Sequence, residues 1–85
     1  MQISEKSIQD TIAFIVAACR RGSAECHADF MVDDYYWHSR SKLEGIRLLF
    51  VDYPHVLARI STALMETDFI RADAKARLVS GQLAD

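Results

Sequence analysis

Residues 4–22, with the sequence SEKSIQDTIAFIVAACRRG, carry the clearest structural pattern in the chain. Four of its apolar side chains recur at spacings of four, three and four residues and so share one face of an α-helix: Ile8, Ile12, Ile15 and Cys19. Ser4 is a suitable N-cap, and Gly22 follows two arginines, as is common at the end of a helix. The pattern predicts a first helix between Ser4 and Gly22.

The middle of the chain carries two more helical signals. Ser23 can cap a second helix, although the aromatic cluster within residues 29–38 would also suit a strand. Ser41, followed three residues later by Glu44, forms a capping box ahead of an apolar run. This predicts a third helix that begins at Lys42. For residues 29–38 the sequence leaves helix and strand open.

The only proline in the chain marks the start of its last predicted helix. Pro54 cannot continue a helix but fits the first turn of a new one, which should end at Gly81. The apolar residues of this segment form two faces displaced by about 120° around the axis: Leu57, Ile60 and Leu64, then Ile70, Ala74 and Leu78. The helix therefore either breaks near Thr67 and Asp68 or continues with its ends against different neighbours. We predict an all-α chain, a compact bundle of four to five short helices in one domain over residues 1–85.

The composition is that of a folded domain. The chain has 85 residues and 9.6 kDa, with 51% hydrophobic residues, 26% charged residues and a formal net charge of −2. High apolar content and balanced charge argue against disorder, and the longest apolar run, Ile12 to Cys19, is too short for a membrane span. The residues before that run do not resemble a signal peptide, and Cys19 and Cys26 are too few for a disulfide framework. We therefore expect a cytoplasmic protein with reduced thiols.

The residues that could carry chemistry form no recognisable motif. Cys26, Asp34 and His38 are of metal-ligating types, but their spacing matches no zinc or calcium motif. Cys26 and His27 are adjacent and so point in different directions on a helix, which argues against a catalytic pair. Three scattered glycines cannot form a phosphate-binding loop. We predict no enzymatic activity, no cofactor and no metal site, with Cys26, Asp34 and His38 left open as a metal-binding alternative.

A DNA-binding regulator is the alternative function. The segment around Pro54 resembles a helix-turn-helix in outline, and several basic residues could contact phosphates: Arg47, Arg59, Arg71, Lys75 and Arg77. However, residues 42–85 contain six basic and six acidic side chains, so this region has no net positive charge. The first turn of the second helix offers only His55 to read base edges. Nucleic acid is therefore the less favoured partner.

The apolar residues exceed what a monomer of this length can bury. A chain of this mass should bury only roughly 63% of its unfolded surface, which makes a marginal core. The second half of the first helix is apolar nearly all round, and the run at residues 48–51 covers every face of its helix. We expect a second copy to cover this surplus in a homodimer. The predicted self-association residues are Phe14, Val16, Leu48, Leu49 and Phe50.

Acidic and aromatic residues occur together within residues 29–38, a combination that can steer and anchor a protein partner. Acids directly ahead of the aromatic cluster argue against anchoring to a membrane. The predicted partner-binding residues are Asp29, Asp33, Asp34, Tyr35, Tyr36, Trp37 and His38. The sequence therefore predicts a small non-enzymatic protein–protein interaction module, a regulator, adaptor or inhibitor that acts as a homodimer by occupying a partner's surface.

Overall fold

The computed structural model describes the backbone of residues 4–84 and the side chains of residues 4–81. Within this part of the chain there are three α-helices: α1 is Glu5–Ala24, α2 is Asp29–Leu49 and α3 is Pro54–Ala84. The all-α class is confirmed, since no strand occurs over residues 4–84. The predicted number of helices is wrong, because the described residues form three long helices and not four or five short ones.

α1 begins where the sequence predicts and ends slightly later. The Ser7 backbone N–H donates to Oγ of Ser4 at 3.1 Å, so Ser4 is the N-cap. Gly22 does not end the helix, which continues to Ala24. A Cβ atom at position 22 would lie only 2.6 Å from Cδ1 of Tyr35. Gly22 therefore allows the close approach of α2 to α1.

The second and third predicted helices are one helix, so residues 29–38 are helical. α2 passes Ser41 without interruption, because the preceding turn is itself helical and supplies the backbone acceptors that a cap would replace. Glu44, the other half of the predicted capping box, instead forms an ion pair with Arg47 on the same helix. Ser23, the predicted N-cap of the second helix, is buried in the last turn of α1.

α3 is a single continuous helix. It begins at Pro54, as predicted, and passes Thr67 without a break. The buried Thr67 hydroxyl donates to the Leu64 carbonyl oxygen at 2.7 Å, so it is satisfied within the helix and does not cap a new one. Gly81 lies inside the helix, which ends at Ala84. Of the two alternatives for this segment, the continuous helix is confirmed.

Two hydrophobic clusters bury apolar residues of α3, and the larger one extends to Ile70, the first residue of the second predicted face. The larger cluster joins α1, Leu43 of α2 and the first half of α3; its buried members are Ile8, Ile12, Ile15, Val16, Cys19, Leu43, Val56, Ile60, Ala63 and Ile70. The smaller cluster joins Ala74 of α3 to Cys26 and Val32. The shift between the two faces therefore reflects a change of neighbour along one helix.

The bundle is long and thin, with principal extents of 54 × 19 × 16 Å. Its accessible surface is 5897 Å², about 800 Å² more than the roughly 5,100 Å² expected for a compact monomer of this mass. This difference is about the area that each partner contributes to a standard protein–protein interface. Each long helix turns one face towards the other two helices and leaves its opposite face uncovered.

Candidate protein-interaction surface

The side of α2 that points away from the bundle carries large apolar residues that are exposed to solvent. Phe30, Trp37 and Leu48 are 69%, 57% and 75% exposed. At about 100° per residue, the three positions differ by no more than about 20° around the helix axis, so they form one line about 27 Å long. Ser41 and Gly45 lie between the second and third of them. We call these five residues the outer α2 face.

Trp37 is held in place at the centre of the outer α2 face. Its ring meets the ring of Tyr36 edge to face, with 4.9 Å between centroids. The Cζ atom of Arg71 lies 4.5 Å from the Tyr36 centroid and 5.9 Å from the Trp37 centroid, distances at which a cation–π attraction operates. Because its neighbours restrain it, the Trp37 side chain has less conformational entropy to lose when a partner binds.

Tyr36 is buried against α3 and connects the two helices. Its hydroxyl donates to Oδ1 of Asp68 at 2.5 Å and accepts from Nη1 of Arg40 at 3.0 Å. The hydrogen bond to Asp68, together with burial, raises the pKa of Tyr36 above its ordinary value. This predicted partner-binding residue therefore makes its hydrogen bonds within the chain, and its ring packs against the ring of Trp37.

Asp33 also faces α3. Its Oδ1 atom lies 3.0 Å from Nζ of Lys75 and 2.9 Å from Nε of Arg71. The hydrogen bonds from Lys75 and Arg71 lower the pKa of the Asp33 carboxyl group. Asp33 and Tyr36, both predicted as partner contacts, thus join α2 to α3.

The two ends of the outer α2 face differ in charge and shape. Asp29 and Asp34 are exposed near Phe30, and neither carboxylate forms an ion pair with another residue of the described chain. Towards the other end, a shallow depression of about 410 Å³ lies between Trp37 and Leu48. The face therefore combines an acidic end with an end where Trp37 and Leu48, bordered by Arg40 and Glu44, leave room for a partner side chain.

The remaining predicted residues of α2 line a separate groove. Its volume is about 260 Å³, and Phe14 of α1 and Asp34, Tyr35 and His38 of α2 are among its lining residues. Tyr35 lies about 160° around the helix from Trp37. The groove therefore unites one residue predicted for self-association with three predicted for partner binding. Its Tyr35 lies on a different side of α2 from Trp37, whereas Asp34 borders both the groove and the end of the outer α2 face near Phe30.

The residues predicted for self-association do not form one surface. Val16 is only 2% exposed, because α1 contacts both other helices and buries a wider face than its main apolar stripe. Phe50 is half-buried against the larger cluster, with its ring 5.5 Å from that of Tyr53. Leu48 and Leu49 are exposed. Val16 is therefore corrected from an interface to an interior position of the single chain, whereas the role predicted for the half-buried Phe50 stays a prediction.

Sequence analysis missed several exposed apolar residues: Phe30, Met65, Phe69 and Val79. The signal for Phe30 is its position two helical turns before Trp37, which becomes informative only once residues 29–38 are known to be helical. The signal on α3 is an apolar spacing on the side opposite the buried Ile60, which a search for core faces overlooks.

The residues left open as a metal site do not form a ligand group. Over the residues that the structure describes, no three His, Cys, Asp or Glu side chains are placed to hold a metal ion. Cys26 is buried, its thiol donates to the Gly22 carbonyl oxygen at 3.2 Å, and burial raises its pKa. Asp34 and His38 are exposed on α2, in the groove described above.

The basic residues that could contact phosphates are engaged within the chain. Arg77 donates from Nη2 to the Ser23 carbonyl oxygen at 2.9 Å. The others form ion pairs: Arg47 with Glu44, Arg59 with Glu66, and Arg71 and Lys75 with Asp33. None of these contacts favours the DNA-binding alternative, because each one offsets or occupies a positive charge that a duplex would need.

Comparison with known proteins finds no relative of this helical bundle: no protein-family model matches the chain, and no curated protein and no solved structure matches it either. None of the helices within residues 4–84 combines the length and the apolar character that crossing a membrane requires. Function therefore has to be argued from the surfaces of the bundle.

Proposed function

We propose that this protein is a small non-enzymatic interaction module that acts by occupying the surface of another protein. Its binding surface is the outer α2 face, centred on Trp37. The module is a regulator, adaptor or inhibitor whose effect comes from what it covers, and it acts as a homodimer.

The observation that carries the proposal is that Trp37 is exposed while its surroundings hold it in place. Tryptophan dominates binding hot spots, because one restrained ring removes a large apolar area from water. A tryptophan needed only for stability would be expected inside the core. Here the buried neighbour Tyr36 fills the α2–α3 contact instead, and Trp37 projects outwards from it.

Charge and shape define the kind of protein that fits. The first basic residue along α2 is Arg40, so the charged residues that α2 itself contributes at the end with Phe30 are all acidic: Asp29, Asp33 and Asp34. Since Asp33 is paired within the chain, the two exposed carboxylates face outwards. A complementary partner has an apolar cleft wide enough for one helix, rimmed by lysine or arginine at one end.

The test compares paired variants in partner capture. The immobilised wild-type protein, the variant Phe30→Ala/Trp37→Ala and the control variant Phe14→Ala/Leu49→Ala are exposed to an extract of the source cells. The control removes two exposed apolar residues outside the outer α2 face. We expect a protein that the wild type and the control retain and that the Phe30/Trp37 variant loses.

Titration calorimetry with that partner, once purified, measures the effect. Truncation of a hot-spot residue costs 2 kcal/mol or more, so the affinity should fall at least about 30-fold for Phe30→Ala/Trp37→Ala. Both side chains are largely exposed, so the free energy of unfolding should change by only about 1 kcal/mol. Equal affinity of this variant and the wild type, with the fold intact, contradicts the assignment of the surface.

A further inference from the structure

The side of α3 that points away from the bundle carries a stripe of uncharged residues at alternating spacings of four and three. All of its members are exposed: Ala58, Thr62, Met65, Phe69, Ala72, Ala76 and Val79. This is the spacing of the a and d positions in a coiled coil. The stripe is about 32 Å long at 1.5 Å per residue. We call it the α3 seam.

The α3 seam lies opposite the side of α3 that forms the core. Ile60, Thr67 and Ala74 are buried and recur every seven residues, at the positions furthest from the seam. Both α1 and α2 pack on that buried side. A further helix could therefore lie along the seam without displacing either of them. Phe69, near the middle of the seam, is 71% exposed.

A second α3 seam fits this one by size when the two helices run antiparallel. In the layers nearest the two-fold axis, a large side chain then faces an alanine, and the axis repeats each pairing; the outer layer pairs two side chains of similar, intermediate size. The facing pairs are Phe69 with Ala72, Met65 with Ala76, and Thr62 with Val79. A parallel pairing would place Phe69 against Phe69 of the second copy, which crowds that layer. It would also place Ala72 against Ala72, which leaves a gap.

The charges beside the seam favour the same orientation. Antiparallel pairing brings Asp68 near Lys75 of the second copy along one edge, where both side chains also contact α2 through Tyr36 and Asp33, whereas parallel pairing brings Asp68 near Asp73 of the second copy. The antiparallel arrangement also places Glu66 near Asp73 of the second copy. Arg59 already neutralises Glu66 at 3.0 Å, which weakens this repulsion.

The surface that the chain exposes is sufficient for such a pairing. The excess of about 800 Å² over a compact monomer belongs to the whole elongated bundle, and it matches in size what one partner supplies to a standard interface. The seam has no charged member, as the centre of an interface between copies requires.

We propose that a second copy of this chain covers the α3 seam, in an antiparallel two-fold pairing centred between Phe69 and Ala72. The pairing deepens the proposed function, which includes a homodimer, and it replaces the self-interface expected around Phe14 and residues 48–50. The outer α2 face lies on a different side of the bundle and stays open to the partner.

Sedimentation equilibrium of the purified chain tests the pairing. We expect twice the chain mass for the wild type and a loss of the dimer for Ala72→Glu, because the substitution places a charge opposite Phe69 of the second copy. Ala17→Glu is the matched control, since Ala17 is an exposed alanine on α1, and it should remain dimeric. A monomeric wild type, or loss of the dimer only on Ala17→Glu, overturns the proposal.

Disulfide cross-linking tests the orientation. Cys19 and Cys26 are buried, so cysteines placed at Thr62 and Val79 would be the accessible thiols. In the antiparallel pairing, Thr62→Cys/Val79→Cys cross-links into a dimer, whereas neither single variant does, because each position is about 25 Å from its own copy along the axis. A Val79→Cys single variant that cross-links as readily as the double variant overturns the antiparallel arrangement.

Different results would contradict the proposals for the α3 seam and for the outer α2 face. If Ala72→Glu is monomeric and still binds the partner of the wild type, the seam and the outer α2 face are independent, as proposed. If Phe30→Ala/Trp37→Ala changes the mass and leaves partner binding unaltered, both assignments are overturned, because the outer α2 face is then the self-interface.

Discussion

Two helical glycines, Gly22 and Gly45, lie in opposite steric environments. Gly22 is covered by the ring of Tyr35, whereas a Cβ atom at Gly45 would meet no atom within 4 Å. Alanine has a higher helix propensity than glycine by about 1 kcal/mol, and this gain is available at both positions. The neighbouring atoms therefore decide the sign of the effect.

We expect Gly22→Ala to destabilise the wild-type protein, because the added Cβ displaces the Tyr35 ring from the α1–α2 contact. In a Tyr35→Ala background, the same change should stabilise by about 1 kcal/mol. Urea unfolding of the four proteins of this double-mutant cycle measures the difference. Equal effects in the two backgrounds would show that the ring does not rest on Gly22.

Asp33 makes a prediction about pH. Lys75 and Arg71 lower the pKa of its carboxyl group in the folded state, so the ionised form stabilises folding. This stabilisation is fully present above the ordinary pKa of 3.8 and is lost as the pH falls through the lowered value. Asp33→Asn should therefore lower the free energy of unfolding at pH 7 and make little difference in strong acid.

The neighbouring residue supplies the control for this prediction. Asp34 is exposed and forms no ion pair within the described residues, so Asp34→Asn should have a small effect at any pH. Urea denaturation between neutral and strongly acidic pH gives the comparison. A stability difference between Asp33→Asn and the wild type that persists unchanged in strong acid contradicts the ion-pair interpretation.

At the scale of the helices, the sequence predicts the starts of α1 and α3 better than the continuity of α2. Ser4 and Pro54 favour the start of a helix through local effects, an N-cap and a fixed backbone angle, so both starts can be predicted from the neighbouring residues. The capping box at Ser41 is also local, but the helix that runs into it from Asp29 overrides it. That helix depends on the contacts of Val32 and other residues with distant parts of the chain, which periodicity alone does not reveal.

The continuity of α2 makes a prediction at Gly45. Gly45→Ala should raise the free energy of unfolding by about 0.5 to 1 kcal/mol, because Gly45 lies inside a helix and has open space around it. The same Cβ partly fills the depression between Trp37 and Leu48. Partner affinity should therefore fall while stability rises. A variant that gains stability and keeps full affinity would place the depression outside the binding surface.

At the scale of the whole molecule, the predicted binding residues of α2 point in three different directions. Trp37 and Leu48 point away from the bundle, Asp33 and Tyr36 point towards α3, and Tyr35 points towards α1. The sequence identified the segment that carries the candidate site, because acids and aromatics are concentrated there. The sequence could not show which side chains of this segment are exposed and which contact α1 or α3, because that depends on where the other two helices pack.

The α3 seam is a second feature that could not be predicted from the sequence alone. A helix packed along only one side can be apolar on two, and Ala72 and Ala76 are too small to attract notice in the sequence. Their pattern becomes visible once Ile60 and Ala74 are known to face the core. The bundle therefore exposes two apolar outward faces, one on α2 and one on α3.

The fluorescence of Trp37, the only tryptophan in the chain, reports whether the outer α2 face is the binding surface. In the free protein its exposure predicts emission typical of a ring in water. When the purified partner is added, the emission should shift to the blue and saturate with the affinity measured by calorimetry, because the ring enters an apolar cleft. A partner that binds to saturation while the emission of Trp37 stays that of a water-exposed ring would contradict the account.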